Sequence, residues 1–281
     1  MTETKLEKQL VTGYRGYDIK YLLEFNSISE FSEYISKTPT NESFKNAKLH
    51  SNMVWNDNWA GTKTFDEAIE LLKNGWSDIS EKINKKISIS KDKLQSDKVF
   101  KNVLSVCGYQ PIVPLYLQGV PNNMVCKKQK VLKNKIITIN KTLSASSAVS
   151  SERLINENIK CFQIIKRLES SGYRVNLNLL ISGGLVCVKI KLKSANERLN
   201  LSKLTFPLIH TAMLRRLYFR FTEVYPRITS NFVDGYGRVP NENVFKQLCK
   251  ENEILLNTSL FCSDEKELVT MSVEEIIKKL K

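Results

Sequence analysis

Residues 135–181 read KIITINKTLSASSAVSSERLINENIKCFQIIKRLESSGYRVNLNLLI, and the order of textures inside that stretch decides the fold class. Ile136 to Ile139 form a short apolar run of the kind used by a buried strand. A loop rich in Ser and Ala follows. Over 152–170, Ile155, Ile159, Phe162, Ile165 and Leu168 recur at i, i+3 or i+4, which places them on one helical face, and Gly172 closes the helix. Val175, Leu177, Leu179 and Ile181 then alternate with Arg174, Asn176 and Asn178, the period of a strand with one buried face. Strand, helix, strand is the unit of an α/β layered fold.

The same texture continues downstream. Gly183 and Gly184 make a turn into 186–193, where Val186, Val188, Ile190 and Leu192 share one face and Lys189, Lys191 and Lys193 the other. A helix is predicted over 207–225, with Pro207 in its first turn and Pro226 beyond its end. A strand over 254–256 and a helix from 273, opened by the Ser272/Glu275 capping box, complete the pattern. Upstream, 112–119 reads as a strand that Pro114 confines to an edge or a bend. The first hundred residues carry three capping boxes, Ser27/Glu30, Thr64/Glu67 and Asp78/Glu81, with Gly75 placed as a C-terminal cap. The expected architecture is a layered α/β domain with flanking helices over 101–281. A mainly helical, charge-balanced module over 1–100 precedes it.

The loop after the first strand carries Asn140, Thr142 and Ser144 at i, i+2 and i+4, followed by the amphipathic helix. Oxygen-bearing side chains at that spacing can converge on a hard cation. This arrangement resembles the von Willebrand factor A fold, whose metal-ion-dependent adhesion site uses Asp-x-Ser-x-Ser there. The helix and following strand are similar to that fold's first helix and second strand. On the resemblance, Asn140, Thr142 and Ser144 take the three motif positions, but asparagine replaces the anionic ligand and Lys141 adds a positive charge. No bound metal and no cofactor are therefore expected. Asp234 is placed late enough to act as a second-loop ligand. Three further segments, WAGTKTFDEAIELLKNGW (59–76), YQPIVPLYLQGVPNNM (109–124) and LTFPLIHTAMLRRLYF (204–219), resemble an uncharacterised family common in bacteriophage and prophage genomes. That resemblance implies a phage or mobile-element origin and carries no activity.

Charge points to a partner. The chain has a net charge of +14. Residues 1–100 hold 15 basic and 15 acidic side chains, residues 101–250 hold 24 and 7, and no acid lies between Asp97 and Glu152. A local excess of this kind suits a polyanion, most often nucleic acid. Three features carry it. The first is the acid-free run with Lys127, Lys128 and Lys130, extended by Lys133, Lys135 and Lys141. The second is the Lys189, Lys191, Lys193 strand face. The third is Arg215, Arg216 and Arg220 on the 207–225 helix, interleaved with Tyr218, Phe219 and Tyr225, a guanidinium–aromatic combination suited to single strands. Arg216 and Arg220 share a face set apart from the Leu214, Leu217, Phe221 stripe, so they are expected to reach solvent. On the 152–170 helix, Arg153, Glu157, Lys160 and Arg167 are read as a solvated face with ion pairs.

Catalytic signatures do not accompany this charge. The sequence has no phosphate-loop, nucleophile-elbow or H-E-x-x-H motif, and Gly235-Tyr236-Gly237 lacks a third glycine. His210 lies beside an apolar stripe and reads as a satisfied, partly buried histidine. The six cysteines have no C-x-x-C pair and read as buried free thiols of a reducing cytosol. There is no apolar run of membrane-spanning length and no signal-peptide core at the N-terminus. The sequence thus predicts a non-enzymatic phage-encoded protein of the host cytoplasm, or of the virion. It would bind DNA or RNA, single-stranded or without sequence preference. The alternative is a protein-interaction or virion-assembly module whose von Willebrand factor A-like surface docks phage or host proteins.

Overall fold

The computed structural model describes residues 1–10, 19–38, 51, 60–89, 100–129, 136–144, 151–170, 172–183, 186–227, 242–251 and 253–257. The turn-rich residues 55–59, Lys130, Lys133, Lys135, Gly184, Asp234, Gly235-Tyr236-Gly237 and the helix expected from 273 lie outside them.

The decisive stretch folds as its periodicity dictates. β6 (Ile136–Thr142), α5 (Ser151–Ser170) and β7 (Arg174–Ser182) form a strand–helix–strand passage with β6 and β7 parallel. β7 turns back into the antiparallel β8 (Val186–Lys193). Tyr218 closes that hairpin: its hydroxyl donates to the Val186 carbonyl at 3.0 Å and accepts the Gly183 N–H at 2.9 Å. β9 (Glu253–Leu256) adds a parallel partner on the other side of β6.

The sheet then extends into the N-terminal hundred residues, ahead of the first predicted helix. β1 (Thr2–Leu10) and β2 (Ile19–Phe25) pair with each other, and β2 lies parallel to β8, giving the six-stranded order β1-β2-β8-β7-β6-β9. The mainly helical module expected over 1–100 is therefore corrected. β1, TETKLEKQL, carries alternating charge rather than alternating apolar residues, so nothing local marks it as a strand. Its backbone pairing with β2 defines it.

Two of the three caps predicted before residue 100 form. α1 (Ile28–Ile35) begins where the Ser27 hydroxyl accepts the Glu30 N–H, and α2 (Phe65–Asn74) where Thr64 accepts the Glu67 N–H, both at 3.1 Å. α3 (Ser77–Ile89) starts one residue before the predicted Asp78 cap. Between α2 and α3, Gly75 has φ +86°, and a Cβ there would stand 2.6 Å from the Ser202 carbonyl oxygen. Only glycine lets that turn press against α6 (Leu201–Ile209).

Two predicted boundaries move at prolines. The strand expected over 112–119 is α4 (Val113–Leu117), because the fixed φ of Pro114 suits a first helical turn. Pro207 sits inside α6 rather than opening the next helix. The chain leaves helical geometry at His210, then continues as a π-helical segment (Met213–Tyr218) and α7 (Phe219–Val224).

One face of the sheet packs on these helices. Leu23, Ile139, Val175, Leu177, Leu179, Val188 and Ile190 meet Phe31, Ala68, Ile83, Phe162, Ile165, Phe206 and Phe221 in one continuous core. Side chains from before residue 100 and after it are interleaved in that core, each fully buried one contributing roughly 1.5–3 kcal/mol. On the opposite face, α8 (Glu242–Leu248) lays Phe245 over Ile19, Leu180 and Cys187. Residues 100–129 stand apart from both clusters. β3 (Phe100–Ser105), β5 (Met124–Gln129) and the short β4 (Gln110–Pro111) form a separate antiparallel sheet capped by α4.

Candidate functional site

Of the two arginines predicted to face solvent, Arg216 does not reach it and Arg220 reaches it only in part. Arg216 is 0% exposed and Arg215 is buried, while Arg220 is half-buried. The chain around them is enclosed by the N-terminal part, and Arg215 and Arg216 lie in the π-helical segment. All six of its residues, Met213 to Tyr218, are buried, and since six residues span more than a full turn, the segment is covered on every side. The Arg216 guanidinium donates to the carbonyls of Ser51 (3.0 Å), Thr62 (2.8 Å) and Lys63 (3.0 Å). Arg220 donates to Ile35 (3.2 Å) and Lys37 (3.1 Å) and lies 3.7 Å from Glu223. Glu223, itself buried, accepts the Ser51 N–H at 2.9 Å and the Ser51 hydroxyl at 2.6 Å. These groups fasten irregular backbone of the N-terminal part to the 213–224 helix. Tyr218 and Tyr225 are buried beside them and present no face to a base.

The lysine strand is divided by a bulge. The β7–β8 register shifts between Leu177 and Asn178, so Lys193 pairs with Leu177 while Lys191 pairs with Asn178. Lys189 and Lys191 remain on the open face, but Lys193 turns to the helical side and is 2% exposed. There its ammonium donates to the Val175 carbonyl at 3.0 Å and pairs with Glu169 at 2.6 Å. Lys189 is paired with Glu24 at 3.2 Å. Strict alternation predicted three coplanar lysines. One inserted residue leaves two, of which Lys191 is exposed.

The three motif positions do not converge on a cation. Asn140 donates its amide to Glu253 at 2.7 Å and to the Cys249 sulfur at 3.3 Å, and accepts from Asn178 at 2.9 Å. Ser144 is tied to Ser182 of β7, donating to its carbonyl at 2.8 Å and accepting its N–H at 3.0 Å. Thr142 is buried in the strand. Lys141, counted with the phosphate-tracking lysines, is fully buried beside Cys161 and Glu157, and burial pushes its pKa down. Glu157 is fully buried too, 3.7 Å from Arg153, which corrects the solvated face read for α5. Among the described residues no cluster of three or more His, Cys, Asp or Glu could hold a metal.

His210 is enclosed by Trp76, edge-on at 4.6 Å, and Phe206, stacked at 4.9 Å. Its Nδ1 accepts the Ala212 N–H at 3.1 Å, which leaves Nε2 as the protonated nitrogen, and burial pushes its pKa down to about 4. Burial raises Cys161 to about 11 and also raises Cys187. Both behave as core residues. Cys107, by contrast, is exposed, and Cys126 and Cys249 are half-buried, so the thiols are not uniformly buried as expected.

Exposed cations and largely exposed aromatics come together in residues 100–129. No residue of 100–129 is buried, and the segment contains three lysines and no acid. Phe100, Tyr109 and Tyr116 are more than half exposed, and so are the aliphatic Val106, Val113 and Leu117. Lys101 faces Lys128 directly across the β3–β5 ladder, a like-charge pairing that costs stability unless an anion relieves it. On the other face of that ladder, Lys127 stands 5.4 Å from the Tyr109 ring centroid, beside Phe100 and Asn102. Sequence reasoning singled out Lys127 and Lys128 but not the aromatics; it read 112–119, which holds Tyr116, as an edge or bent strand and drew nothing from Phe100 or Tyr109. The signal was the clustering of aromatics within an acid-free run.

Among the described residues no helix is long and apolar enough to cross a membrane. No curated protein and no solved structure matches the chain. A family model described as "Domain of unknown function (DUF7192)" matches residues 7–281, nearly the whole length, and the chain therefore belongs to that family.

Proposed function

We propose that this protein binds single-stranded nucleic acid, without catalysis, through the lobe formed by residues 100–129. The observation that carries the reading is the composition of an unburied lobe: Lys127 against Tyr109 beside Phe100 on one face of its ladder, Lys101 and Lys128 on the other, exposed Tyr116 on α4, and no acidic side chain in the segment. A folded lobe with this much exposed apolar area is a contact surface. Lysines neutralise phosphates, and each aromatic face that stacks on a base is worth roughly 1–3 kcal/mol. The phage-family resemblance of 59–76, 109–124 and 204–219 supports a role in the host cytoplasm during infection.

The test is fluorescence anisotropy with labelled oligonucleotides of DNA and RNA, single- and double-stranded, as salt is raised. Three phosphate contacts on a single strand give a log–log salt slope of about −2, or about a fifteenfold loss between 50 and 200 mM. Replacing Lys101, Lys127 and Lys128 together by alanine should flatten that slope, and Tyr109→Ala should weaken binding without changing it. An unchanged slope in the triple variant, or no binding at about 50 mM salt, would remove the reading.

A second reading is favoured by the aliphatic part of the same lobe, Leu104, Val106, Val113 and Leu117, which has no base-stacking use. It is a docking surface for a phage or host protein, in keeping with the von Willebrand factor A-like reading of the β6–α5–β7 passage. Loss of a protein partner in Leu117→Asp, with no oligonucleotide binding by the parent, would decide for it.

A further inference from the structure

The open face of the six-stranded sheet is divided in two. One half is apolar and covered by Phe245 of α8. The other half carries Glu24 on β2, Lys189 and Lys191 on β8, Asn176 and Asn178 on β7 and Glu253 on β9, arranged around a cavity of about 280 Å³. Polar groups on a half-buried sheet face cost stability unless they are paired. Most of these are paired, in a way that fixes their positions. Glu24 holds Lys189, Asn178 donates to Asn140, Asn140 donates to Glu253, and the Asn176 side-chain oxygen accepts the Ala195 N–H at 2.7 Å.

What stays unengaged faces the cavity. Among the described residues the Lys191 ammonium has no carboxylate partner, the Asn178 side-chain oxygen accepts no hydrogen bond, and only Oε2 of Glu253 is occupied. With Lys189 and Glu24 neutralising each other, one cation and one anion remain on opposite sides of the cavity. Their strands are three pairing steps apart, about 14 Å between backbones. A simple anion entering here would meet two carboxylates, and a simple cation two lysines. A molecule carrying both charges meets neither penalty.

We propose that this cavity binds a small zwitterionic molecule of about dipeptide length, with its carboxylate on Lys191, its ammonium on Glu253 and its polar middle against Asn178. An extended dipeptide spans about 7 Å, and the two inward-facing side chains cover the remaining distance. The Asn178 oxygen is placed to accept a peptide N–H. This site stands apart from the nucleic-acid reading, which uses the 100–129 lobe.

Isothermal titration calorimetry of the full chain tests it, with L-alanyl-L-alanine as probe and two comparators: the same dipeptide N-acetylated and C-amidated, and ribose 5-phosphate. Alanyl-alanine should bind saturably, and the capped form at least about tenfold more weakly. Lys191→Met and Glu253→Gln should each weaken the zwitterion about tenfold. Lys191 is exposed, so its substitution does not threaten folding and decides the matter even if Glu253→Gln is unstable. No saturable binding of alanyl-alanine up to about 10 mM, equal binding of the capped form, tighter binding of ribose 5-phosphate, or a Lys191→Met variant that binds like the parent would each overturn the proposal.

Discussion

Replacing Arg216 by alanine should cost the protein about 4 kcal/mol of folding stability. The guanidinium is fully buried and donates to three backbone carbonyls, those of Ser51, Thr62 and Lys63, at 2.8–3.0 Å. A hydrogen bond with a charged partner contributes about 1.5–3 kcal/mol. Three from one side chain are not additive, because the guanidinium is desolvated only once, and removing one member of a buried charged network typically costs about 3–5 kcal/mol. The loss is a large share of the roughly 5–15 kcal/mol that separates folded from unfolded protein. Urea unfolding followed by circular dichroism measures it. With a slope near 3 kcal/mol/M, the midpoint should fall by about 1.3 M. Arg216→Lys should recover less than half of the loss, since an ammonium lacks the planar fork that spans three acceptors. A change below about 1 kcal/mol at constant slope, combined with weakened oligonucleotide binding, would refute the reasoning. It would return Arg216 to the role of a phosphate contact.

Other consequences follow from burial. His210 has its folded-state pKa lowered to about 4 from 6.5, so the unfolded chain takes up its proton first as the pH falls. Its contribution is complete above about pH 6.5 and is lost progressively towards pH 4, by up to about 3 kcal/mol; thermal melts of the parent should show that loss across the window, and those of His210→Phe, which has no titrating group there, should lack it. Lys193→Met should destabilise by about 2–3 kcal/mol, since it removes a buried ammonium bonded to Val175 and paired with Glu169. Lys191→Met, two residues away, should stay within about 0.5 kcal/mol in the same urea assay. Of the described thiols, exposed Cys107 should react first with a disulfide reagent, while Cys161, held near 11, and Cys187 react only after unfolding; fast labelling of Cys161 in native conditions would contradict the buried assignment.

What the sequence determined by itself is what local spacing controls. The apolar face of α5, the alternation of β7 and β8, the Ser27 and Thr64 caps and the left-handed turn at Gly75 are each set within a few residues, so each was legible before any coordinate. The acid-free charge of 101–151 was legible for the same reason. Tertiary structure decided everything that depends on a distant partner. β1 is a strand because β2 pairs with it. Lys193 is buried because one bulge shifts the β7–β8 register, and the sequence of β8 carries no mark of it. Arg216 is buried because the carbonyls of Ser51, Thr62 and Lys63, about 150 residues or more away in the chain, close over it and accept its hydrogen bonds. Periodicity reports which face of an element is apolar. Whether a cation on the other face meets water or an unpaired carbonyl is settled only when the chain closes over it, and that closure moved the exposed positive surface from the arginine helix to the lobe of Lys101, Lys127 and Lys128.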